Sequence, residues 1–370
     1  MVLKSTLVGA LSAFLLAPGL AQAAAHPRKH QHMALKVTET NAGQGEIAKF
    51  LKDNGGDGGD GDNGDDDNSD DDNDDDSPSL GSYDSIDITQ GFKFFSYNGT
   101  VHEPYGPYTF AVDAENQRLF FTVPEAPEAP KGFSCLTALN MDGDRVQEYM
   151  YLYGFGALNV SFAAEPVGNS TRFWFEVDPD EHGRAQGIAA IMWGSEQQAH
   201  YPADVQVKAA PIKGATEYLP TFDPATKSLV LRYRLNGKLR VAAYEAARAA
   251  EKDFSKPLYD VEIPSDLGIS EDILGYAALG QNVYLMAGKT AEDFSKTSTK
   301  IVNFNVDTAK ASQGPYAPCV SGRTPYGKVV AQGLGMYYVE GEEHSLIMGV
   351  AGISATHREA HLFRNEELAH

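Results

Sequence analysis

One short pattern recurs from Ser82 onward and limits what the chain can fold into: an apolar stretch, a polar turn and a second apolar stretch. Each copy is typical of a β-hairpin, because apolar runs rich in β-branched and aromatic residues favour strands, whereas Asp, Asn and Gly favour tight turns. Where the first strand ends in Asp, that side chain is expected to accept backbone N–H bonds from its turn. The five copies pair Phe110–Asp113 with Leu119–Phe121, Phe175–Asp178 with Ile188–Trp193, Thr221–Asp223 with Leu229–Leu231, Tyr276–Leu279 with Val283–Met286, and Met336–Val339 with Ser345–Val350.

The spacing of these hairpins predicts the architecture. They follow one another at intervals of roughly 40–70 residues, which is the scale of a four-stranded propeller blade. Residues 81–370 number 290 and provide 58 residues for each of five blades. The sequence therefore predicts an all-β fold, a five-bladed β-propeller over residues 81–370, with one peripheral helix at Leu239–Asp253, where alanines cluster.

The first 80 residues have a different character. Residues 1–23 combine Lys4, a short apolar run and the sequence Ala21-Gln22-Ala23, which is the arrangement of a cleavable signal peptide. The apolar run is too short to span a bilayer, which takes roughly 20 residues, and no later segment is apolar enough. A secreted protein without a membrane span, extracellular or associated with the cell wall, is therefore expected.

Residues 24–80 are predicted to be a disordered tail. They contain several His residues, and 13 Asp lie within residues 53–76, interleaved with Gly, Asn and Ser. Such a stretch cannot bury a core and is extended by its own charge. It also lacks the ligand spacing of an EF-hand calcium loop. The tail is read as an acidic linker, and no cofactor is expected.

The net charge and the His residues of the tail indicate which macromolecules and metal ions the protein could bind. The formal net charge is −21, and an acidic surface repels phosphate backbones, so nucleic acid is not an expected partner. Cleavage after Ala23 would make His26 the third residue of the mature chain. A free amine with His at the third position can wrap Cu(II) or Ni(II) in a square plane. The alternative is that this stretch is a solvated propeptide without a metal.

The predicted secretion also bears on the redox state of Cys135 and Cys319. In an oxidising compartment they could form one disulfide, and the alternative is two buried thiols. Three N-x-S/T sequons, at Asn98, Asn159 and Asn169, are candidate glycosylation sites on a eukaryotic secretory route.

Five stretches, in order along the chain, resemble one family of propeller domains: Tyr151–Gly156, Val160–Gly168, Pro211–Tyr218, Lys252–Leu258 and Gly275–Ala277. The chain is similar to the β-propeller domain shared by phage receptor-binding proteins, proteins labelled teichoic acid biosynthesis protein C, and helveticin-type bacteriocins. The resemblance covers about residues 85–365. It implies a five-bladed propeller that contacts cell-surface glycans.

The chain departs from that family at three polar positions expected to face the central channel. The family's Gly-His-Gly, Gln-Gly-Tyr and Glu-Pro-Glu-Gly-Met are replaced by Ala157-Leu158-Asn159, Leu274-Gly275-Tyr276 and Gln332-Gly333-Leu334-Gly335-Met336. Glu165, Glu217 and Tyr218 remain. The departures imply that only part of the family's polar constellation is kept, and Asn159 places a sequon beside the expected channel mouth.

The first functional hypothesis is a monomeric protein that binds an extracellular polysaccharide or cell-surface glycan. Tyr105 and Tyr326 are the preferred ligand contacts, because they lie in loops flanked by Gly and Pro, and loops on a rigid scaffold commonly carry binding. Tyr276 and Asn159 are further candidates. The wider set of aromatic residues that could stack on sugar rings includes Tyr108, Tyr151, Tyr153, Phe155, Trp174 and Trp193, the two Trp being expected in the core.

The second hypothesis is a glycan-cleaving enzyme. A glycosidase needs two carboxylates across a cleft, and Glu165 and Glu217 are the best candidates. A polysaccharide lyase needs a base, for which Tyr218, Tyr276 or a His is a candidate, and an Arg to neutralise the uronate carboxylate. The structural alternative is that both Glu side chains tie neighbouring blades together. A third hypothesis is a secreted interaction protein with no sugar ligand.

Overall fold

The fold is seen in a computed structural model of the protein. The structure describes residues 80, 82–88, 92–94, 99–100, 109–124, 133–141, 148–155, 161–269, 273–288, 299–317, 320–321, 329–341, 344–352 and 359–365. The predicted signal peptide and the tail up to residue 79 lie outside them, so the predicted domain boundaries there stay predictions. No helix in the described part of the chain is long and apolar enough to cross a bilayer.

The described residues form twenty-three strands and one short helix. In chain order these are β1 (Phe92–Phe94), β2 (Gly99–Thr100), β3 (Thr109–Asp113), β4 (Arg118–Pro124), β5 (Phe133–Asn140), β6 (Glu148–Tyr153), β7 (Ala163–Val167), β8 (Ser170–Pro179), β9 (Ala185–Met192), β10 (Gln197–His200), β11 (Val207–Ala209), β12 (Thr216–Asp223), β13 (Ser228–Leu235), β14 (Lys238–Glu245), α1 (Ala246–Ala250), β15 (Tyr259–Glu262), β16 (Ile273–Leu279), β17 (Asn282–Ala287), β18 (Lys300–Asn305), β19 (Lys310–Tyr316), β20 (Val320–Ser321), β21 (Val329–Tyr337), β22 (Ser345–Gly352) and β23 (Glu359–Asn365).

The strands form five sheets, which are the blades of a propeller. From the axis outward, blade 1 is β3-β4-β5-β6-β10, blade 2 is β7-β8-β9-β11, blade 3 is β12-β13-β14-β15, blade 4 is β16-β17-β18-β19, and blade 5 is β21-β22-β23-β1-β20, with β2 also paired to β23. The innermost strands β3, β7, β12, β16 and β21 contact one another in a closed ring. The predicted five-bladed β-propeller is confirmed.

The two ends of the described chain meet in blade 5. Strands β1 and β2 both pair antiparallel with β23, so the first two described strands join a sheet built otherwise from the last four. The segment 82–88 runs beside blade 4 and is bonded to it: the N–H of Ile86 donates to the hydroxyl of Tyr284 at 2.8 Å. Tyr83 and Gln281 exchange two hydrogen bonds, of 3.0 and 2.8 Å. The pairing of β1 with β23 thus joins the first and last strands, and the bonds to blade 4 hold the segment that precedes β1.

The blades are apolar on both faces, because each sheet packs between two neighbours. Strand β17 is buried at all six positions, without the polar alternation of a sheet that has one wet face. Between blades 1 and 2 the filling is aromatic: the rings of Phe120 and Phe173 meet edge to face with centroids 4.7 Å apart. At the axis, Gly275 allows β16 to approach β21, since a Cβ there would lie 2.5 Å from the backbone nitrogen of Leu334.

In two turns an Asp accepts a backbone N–H of its own turn, as predicted, and also a hydrogen bond from the next blade. Asp113 accepts the N–H of Asn116 at 3.1 Å and also the hydroxyl of Thr171, in blade 2, at 2.5 Å. Asp223 accepts the N–H of Ala225 at 3.0 Å and the N–H of Gly280, in blade 4, at 2.7 Å. Each carboxylate therefore holds its own turn and clamps the next blade. We call these two contacts the Asp clamps.

The hairpin at Asp178 differs from the other four. It joins β8 to β9, the second and third strands of blade 2, because the innermost strand of that blade is the short β7. Asp178 accepts hydrogen bonds from the Tyr201 hydroxyl at 2.5 Å and the Lys208 ammonium group at 3.3 Å, rather than from its turn. The prediction that this Asp holds its turn through backbone N–H groups is wrong.

The predicted helix at Leu239–Asp253 is mostly wrong. Strand β14 occupies Lys238–Glu245, and helix α1 is confined to Ala246–Ala250. The reason is the preceding pair Asn236-Gly237, both with positive φ (51° and 79°). Such a pair forms the two-residue turn that best joins twisted antiparallel strands. The hairpin pairs β14 with β13 along its whole length and overrides the helix propensity of the alanines.

Candidate functional site

The described part of the propeller axis is narrow and apolar. A cavity there has a volume of about 10 Å³, room for roughly one water molecule. Its walls come from four of the five innermost strands and from Phe162, just before β7: Phe110, Ala111, Val112, Phe162, Ala164, Thr221, Phe222, Leu334, Gly335 and Met336. A sugar ring does not fit in this space. A glycan bound by the described residues would therefore lie outside this cavity.

Glu165 lies on β7 with its side chain engaged inside blade 2. Its carboxylate accepts a hydrogen bond from Arg172 at 2.8 Å and one from the indole N–H of Trp174 at 2.7 Å. Both partners lie on the neighbouring strand β8. The carboxylate therefore neutralises a guanidinium and fixes Trp174, which is fully buried as expected.

Glu217 and Tyr218 lie at a bulge near the start of β12. Glu217 has a φ of +58°, a left-handed value uncommon outside glycine, and its carboxylate accepts a hydrogen bond from Arg234 at 2.9 Å. The buried hydroxyl of Tyr218 accepts the N–H of Ile212 and donates to the carbonyl of the same residue. Glu165, Glu217 and Tyr218 thus have separate partners. The predicted ties through backbone N–H groups of adjacent blades are replaced, for both Glu residues, by ion pairs within one blade.

Tyr276 joins blade 4 to blade 3. Its fully buried hydroxyl contacts the carbonyls of Leu219 and Val230 and accepts the backbone N–H of Arg232 at 3.3 Å. Burial raises the pKa of Tyr276 far above its ordinary value, so the hydroxyl stays protonated at neutral pH. The side chain acts as a bridge between blades.

Five aromatic side chains form a row on one face of blade 1. We call them the blade 1 row: Phe133, Tyr149, Tyr151, Tyr153 and His200. The rings of Tyr153 and His200 stack in parallel with centroids 4.7 Å apart and an interplanar angle of 11°. Phe133 meets Tyr153 edge to face at 4.6 Å, and Tyr149 meets Tyr151 at 5.2 Å. The four Phe and Tyr side chains are half-buried and His200 is exposed.

The row follows from strand geometry. Side chains alternate across a strand, so in β6 Met150 and Leu152 face blade 2 while the three Tyr face the other way. Strand β10 leaves blade 2, pairs in parallel with β6 and forms the outer edge of blade 1. Its register sets His200 beside Tyr153 and the exposed Gln198 beside Tyr151. Flat rings, an imidazole and an amide thus share one partly exposed surface.

Such a surface suits a sugar chemically. Aromatic faces carry partial negative charge and attract the polarised C–H edges of a pyranose ring, while amide and imidazole groups can bond its hydroxyls. Tyr151 and Tyr153 belonged to the wider set of candidate aromatic residues, whereas Tyr149, Phe133 and His200 were missed. The alternating Tyr149-Met-Tyr151-Leu-Tyr153 was the available signal. The placement of His200 had no local signal, because it depends on β10 changing blades.

Of the remaining predicted site residues, Asn169 and Cys135 are among the described residues and the others lie outside them. Asn169 is exposed in the turn between β7 and β8, and Cys135 is buried in β5 with its Sγ 3.8 Å from the hydroxyl of Thr137. Within the described ranges, no group of three or more His, Cys, Asp or Glu residues converges on a point that could hold a metal ion. The predicted sites that lie outside the described residues are Tyr105, Tyr326, Asn98, Asn159, Cys319 and His26.

No protein-family model and no curated protein matches the chain. Among solved structures, it is similar to the tail fiber of Staphylococcus aureus phage P68, with a TM-score of 0.58 and 14% sequence identity over 76% of this chain and 54% of that one. The chain thus spans about half the length of that protein. At this identity the similarity shows the propeller fold, as expected from the family resemblance. The family itself stays an expectation.

Weaker similarities connect the chain to other solved structures. One is a thermostable family-43 glycoside hydrolase, with a TM-score of 0.41 and 11% identity over 70% of this chain and 88% of that one. Another is the exo-β-1,3-galactanase of Phanerochaete chrysosporium, with a TM-score of 0.41 and 11% identity over 69% of this chain and 59% of that one.

Proposed function

We propose that this protein is a secreted glycan-binding propeller, and that the blade 1 row binds the glycan. The observation that carries the proposal is the parallel stack of Tyr153 and His200 beside a partly exposed line of Tyr rings. Large rings bring much apolar contact area with only two rotatable side-chain bonds, which keeps the entropy cost of binding low. The row is supported on its other side by the buried core between blades 1 and 2, so it is held rigidly.

The shape of the row favours a chain over a single sugar. Alternate residues of one strand lie roughly 6.6 Å apart at 3.3 Å per residue, so Tyr149, Tyr151 and Tyr153 offer ring contacts along roughly 13 Å. A linear polysaccharide can lie along such a line and touch several rings, whereas a monosaccharide touches one or two. We therefore expect affinity to rise with oligosaccharide length.

The glycan-cleaving alternative receives less support from the contacts. Glu165 and Glu217 each form an ion pair with an Arg of their own blade, and no observation aligns them across a cleft. Tyr218 and Tyr276 are buried with their hydroxyls engaged. Binding is therefore proposed ahead of cleavage.

A polysaccharide pull-down with the full chain tests the proposal. Insoluble glucans, chitin, xylan and bacterial cell walls are incubated with the protein, the bound fraction is measured against protein concentration, and supernatants are assayed for released sugars. Saturable binding to at least one polymer without release is expected. Tyr153→Ala, which removes the ring that stacks on His200, should weaken it at least tenfold.

Tyr316→Ala is the matched control. Tyr316 is an exposed tyrosine on β19 in blade 4, and its loss should leave binding unchanged. Tyr105→Ala and Tyr326→Ala test the loop contacts predicted from the sequence. Binding that these two variants abolish and Tyr153→Ala leaves intact would move the site from the row to the loops. Sugar release that Glu217→Gln abolishes would replace binding with catalysis as the function.

A further inference from the structure

Arg232 is a buried cation at the junction of blades 3 and 4. It lies on β13, the second strand of blade 3, and keeps only 8% of its accessible surface. Its backbone N–H donates to the hydroxyl of Tyr276, which fixes this part of β13 against the innermost strand of blade 4. The chain therefore places a guanidinium where charge is costly to bury.

No carboxylate of the described residues pairs with the guanidinium of Arg232, and the nearby Glu217 is paired with Arg234. Among the described contacts it forms no side-chain hydrogen bond and no ion pair, and its Nε is enclosed without a partner. The side chain keeps a small exposed fraction and is therefore not completely sealed from solvent. Buried charges in proteins are normally paired, and a planar guanidinium presents donors in a fixed fork.

The neighbouring charged side chains do not accept hydrogen bonds from the guanidinium N–H groups of Arg232. Glu217 acts on Arg232 electrostatically, but its carboxylate is hydrogen-bonded to Arg234. Glu176 and Arg234 also act from a distance, with opposite signs. Burial lowers the pKa of Arg232, and Tyr276 and Glu217 oppose this. The group nevertheless remains charged, because the ordinary pKa of arginine is above 12.

We propose that Arg232 binds an oxyanion, the carboxylate or phosphate group of a ligand, between blades 3 and 4. Two oxygens of such a group can accept the forked N–H donors of a guanidinium in parallel, which is the arrangement arginine forms with carboxylates and phosphates. The anion replaces the missing partner and offsets the cost of the buried charge. The site is independent of the blade 1 row, so it stands whether or not that row binds a glycan.

Isothermal titration calorimetry of the full chain at constant ionic strength tests this site. The probes are inorganic phosphate, sodium glucuronate and, as the uncharged counterpart, glucose. Saturable one-site binding of phosphate or glucuronate is expected, and glucose should give no binding at the same concentrations. Phosphate binding would identify a phosphate-bearing ligand, and binding of glucuronate alone would identify an acidic sugar.

Variants of two arginines of blade 3 locate the anion. Arg232→Met keeps the side-chain length without charge and should weaken binding at least tenfold. Arg240→Met, on β14, removes a guanidinium that is paired with Asp260 and should leave binding unchanged. Arg232→Lys keeps the charge but loses the fork, and should bind more weakly than the wild type. If Arg232→Met does not fold, Arg232→Lys tests the site in its place.

Two results would overturn the proposal. One is the absence of saturable heat with both anions. The other is equal affinity of the wild type and the folded Arg232 variants, since that would assign any binding to another part of the surface.

Discussion

The junction between blades 1 and 2 and the junction between blades 3 and 4 begin with the same contact and continue with different interiors. Both start at an Asp clamp, Asp113 in one and Asp223 in the other. Beyond the clamp, the first junction is filled by apolar rings such as Phe120 and Phe173. The second also has an apolar core, but it contains the Tyr276 hydroxyl and the Arg232 guanidinium.

This difference separates the contacts that hold two blades together from the buried guanidinium, which the first junction lacks among its described residues. The clamp recurs where two blades must be held in register, and apolar packing alone is enough to fill the rest of a junction. A buried cation adds nothing to that packing and costs desolvation free energy. Among the described residues of these two junctions such a cation lies only in the second, which favours the proposed anion site over a role in stability.

The largest expected effect comes from emptying the aromatic junction. Phe173→Ala removes a fully buried ring that contacts Phe120 and Trp193, and should lower the free energy of unfolding by about 3–5 kcal/mol. Urea unfolding followed by circular dichroism measures it. Phe173→Leu is the control and should cost less, since most of the volume is kept. A loss below about 1 kcal/mol for Phe173→Ala would contradict the close packing described for this junction.

The clamps should have the next largest effect, and the effect should be similar in both junctions. Asp113→Ala and Asp223→Ala each leave buried donors in two blades unpaired, which should cost about 2–3 kcal/mol. The same urea unfolding applies. Thr171→Val, which removes one partner of Asp113 alone, should cost less than Asp113→Ala. If only one clamp variant were destabilised, the two contacts would not be equivalent.

The polar junction should respond in the opposite direction when its cation is removed. Arg232→Met should leave the free energy of unfolding unchanged or raise it by about 1 kcal/mol, because an unpaired buried charge is replaced by an apolar chain of similar length. Tyr276→Phe is the contrast and should cost about 1–2 kcal/mol, since it leaves backbone groups of blade 3 unpaired. Marked destabilisation by Arg232→Met would mean that the guanidinium is structural.

The smallest effect concerns Asp178, which is not a clamp. Burial would raise the pKa of its carboxyl, but hydrogen bonds from Tyr201 and Lys208 outweigh this and lower the pKa below its ordinary value. Its contribution is therefore present above the pKa of the unfolded chain and is lost as the pH falls through the lower folded value.

Because Asp178 is partly exposed, the difference in unfolding free energy between wild type and Asp178→Asn should stay below about 1 kcal/mol at pH 7 and vanish toward pH 2. Urea unfolding at several pH values measures the difference. A difference that persisted unchanged at acid pH would show that charge has no part in it.

Hairpins were read from the sequence where strand and turn signals agreed. The repeats at Asp113 and Asp223 carried apolar strands around an acidic turn, and both became innermost hairpins. The predicted helix is mostly wrong because the Asn236-Gly237 turn directs the following residues into a strand, and this signal is stronger than the helix propensity of the alanines. The hairpin at Asp178 was predicted, but its position within the blade was not, since the five-residue β7 has little periodicity of its own.

The candidate sites depended on contacts that residue types do not encode. Glu165 and Glu217 both lie on innermost strands, but each is paired with an Arg of the adjacent strand rather than with the other side of a cleft. Arg232 gave no signal at all. It lies in an ordinary strand sequence, and only the position of blade 4 leaves it buried without a partner.

The sequence by itself determined the all-β class, the number of blades and the turns closed by Asp113 and Asp223, because hairpins are local: alternation and turn chemistry act over a few residues. The tertiary structure decided which strand is innermost in each blade, that β10 joins blade 1, and which charges are paired. These features depend on contacts between residues far apart in the chain, as with the row that joins Tyr153 to His200 and the junction that encloses Arg232. Packing between blades sets such contacts, and no short stretch of sequence contains them.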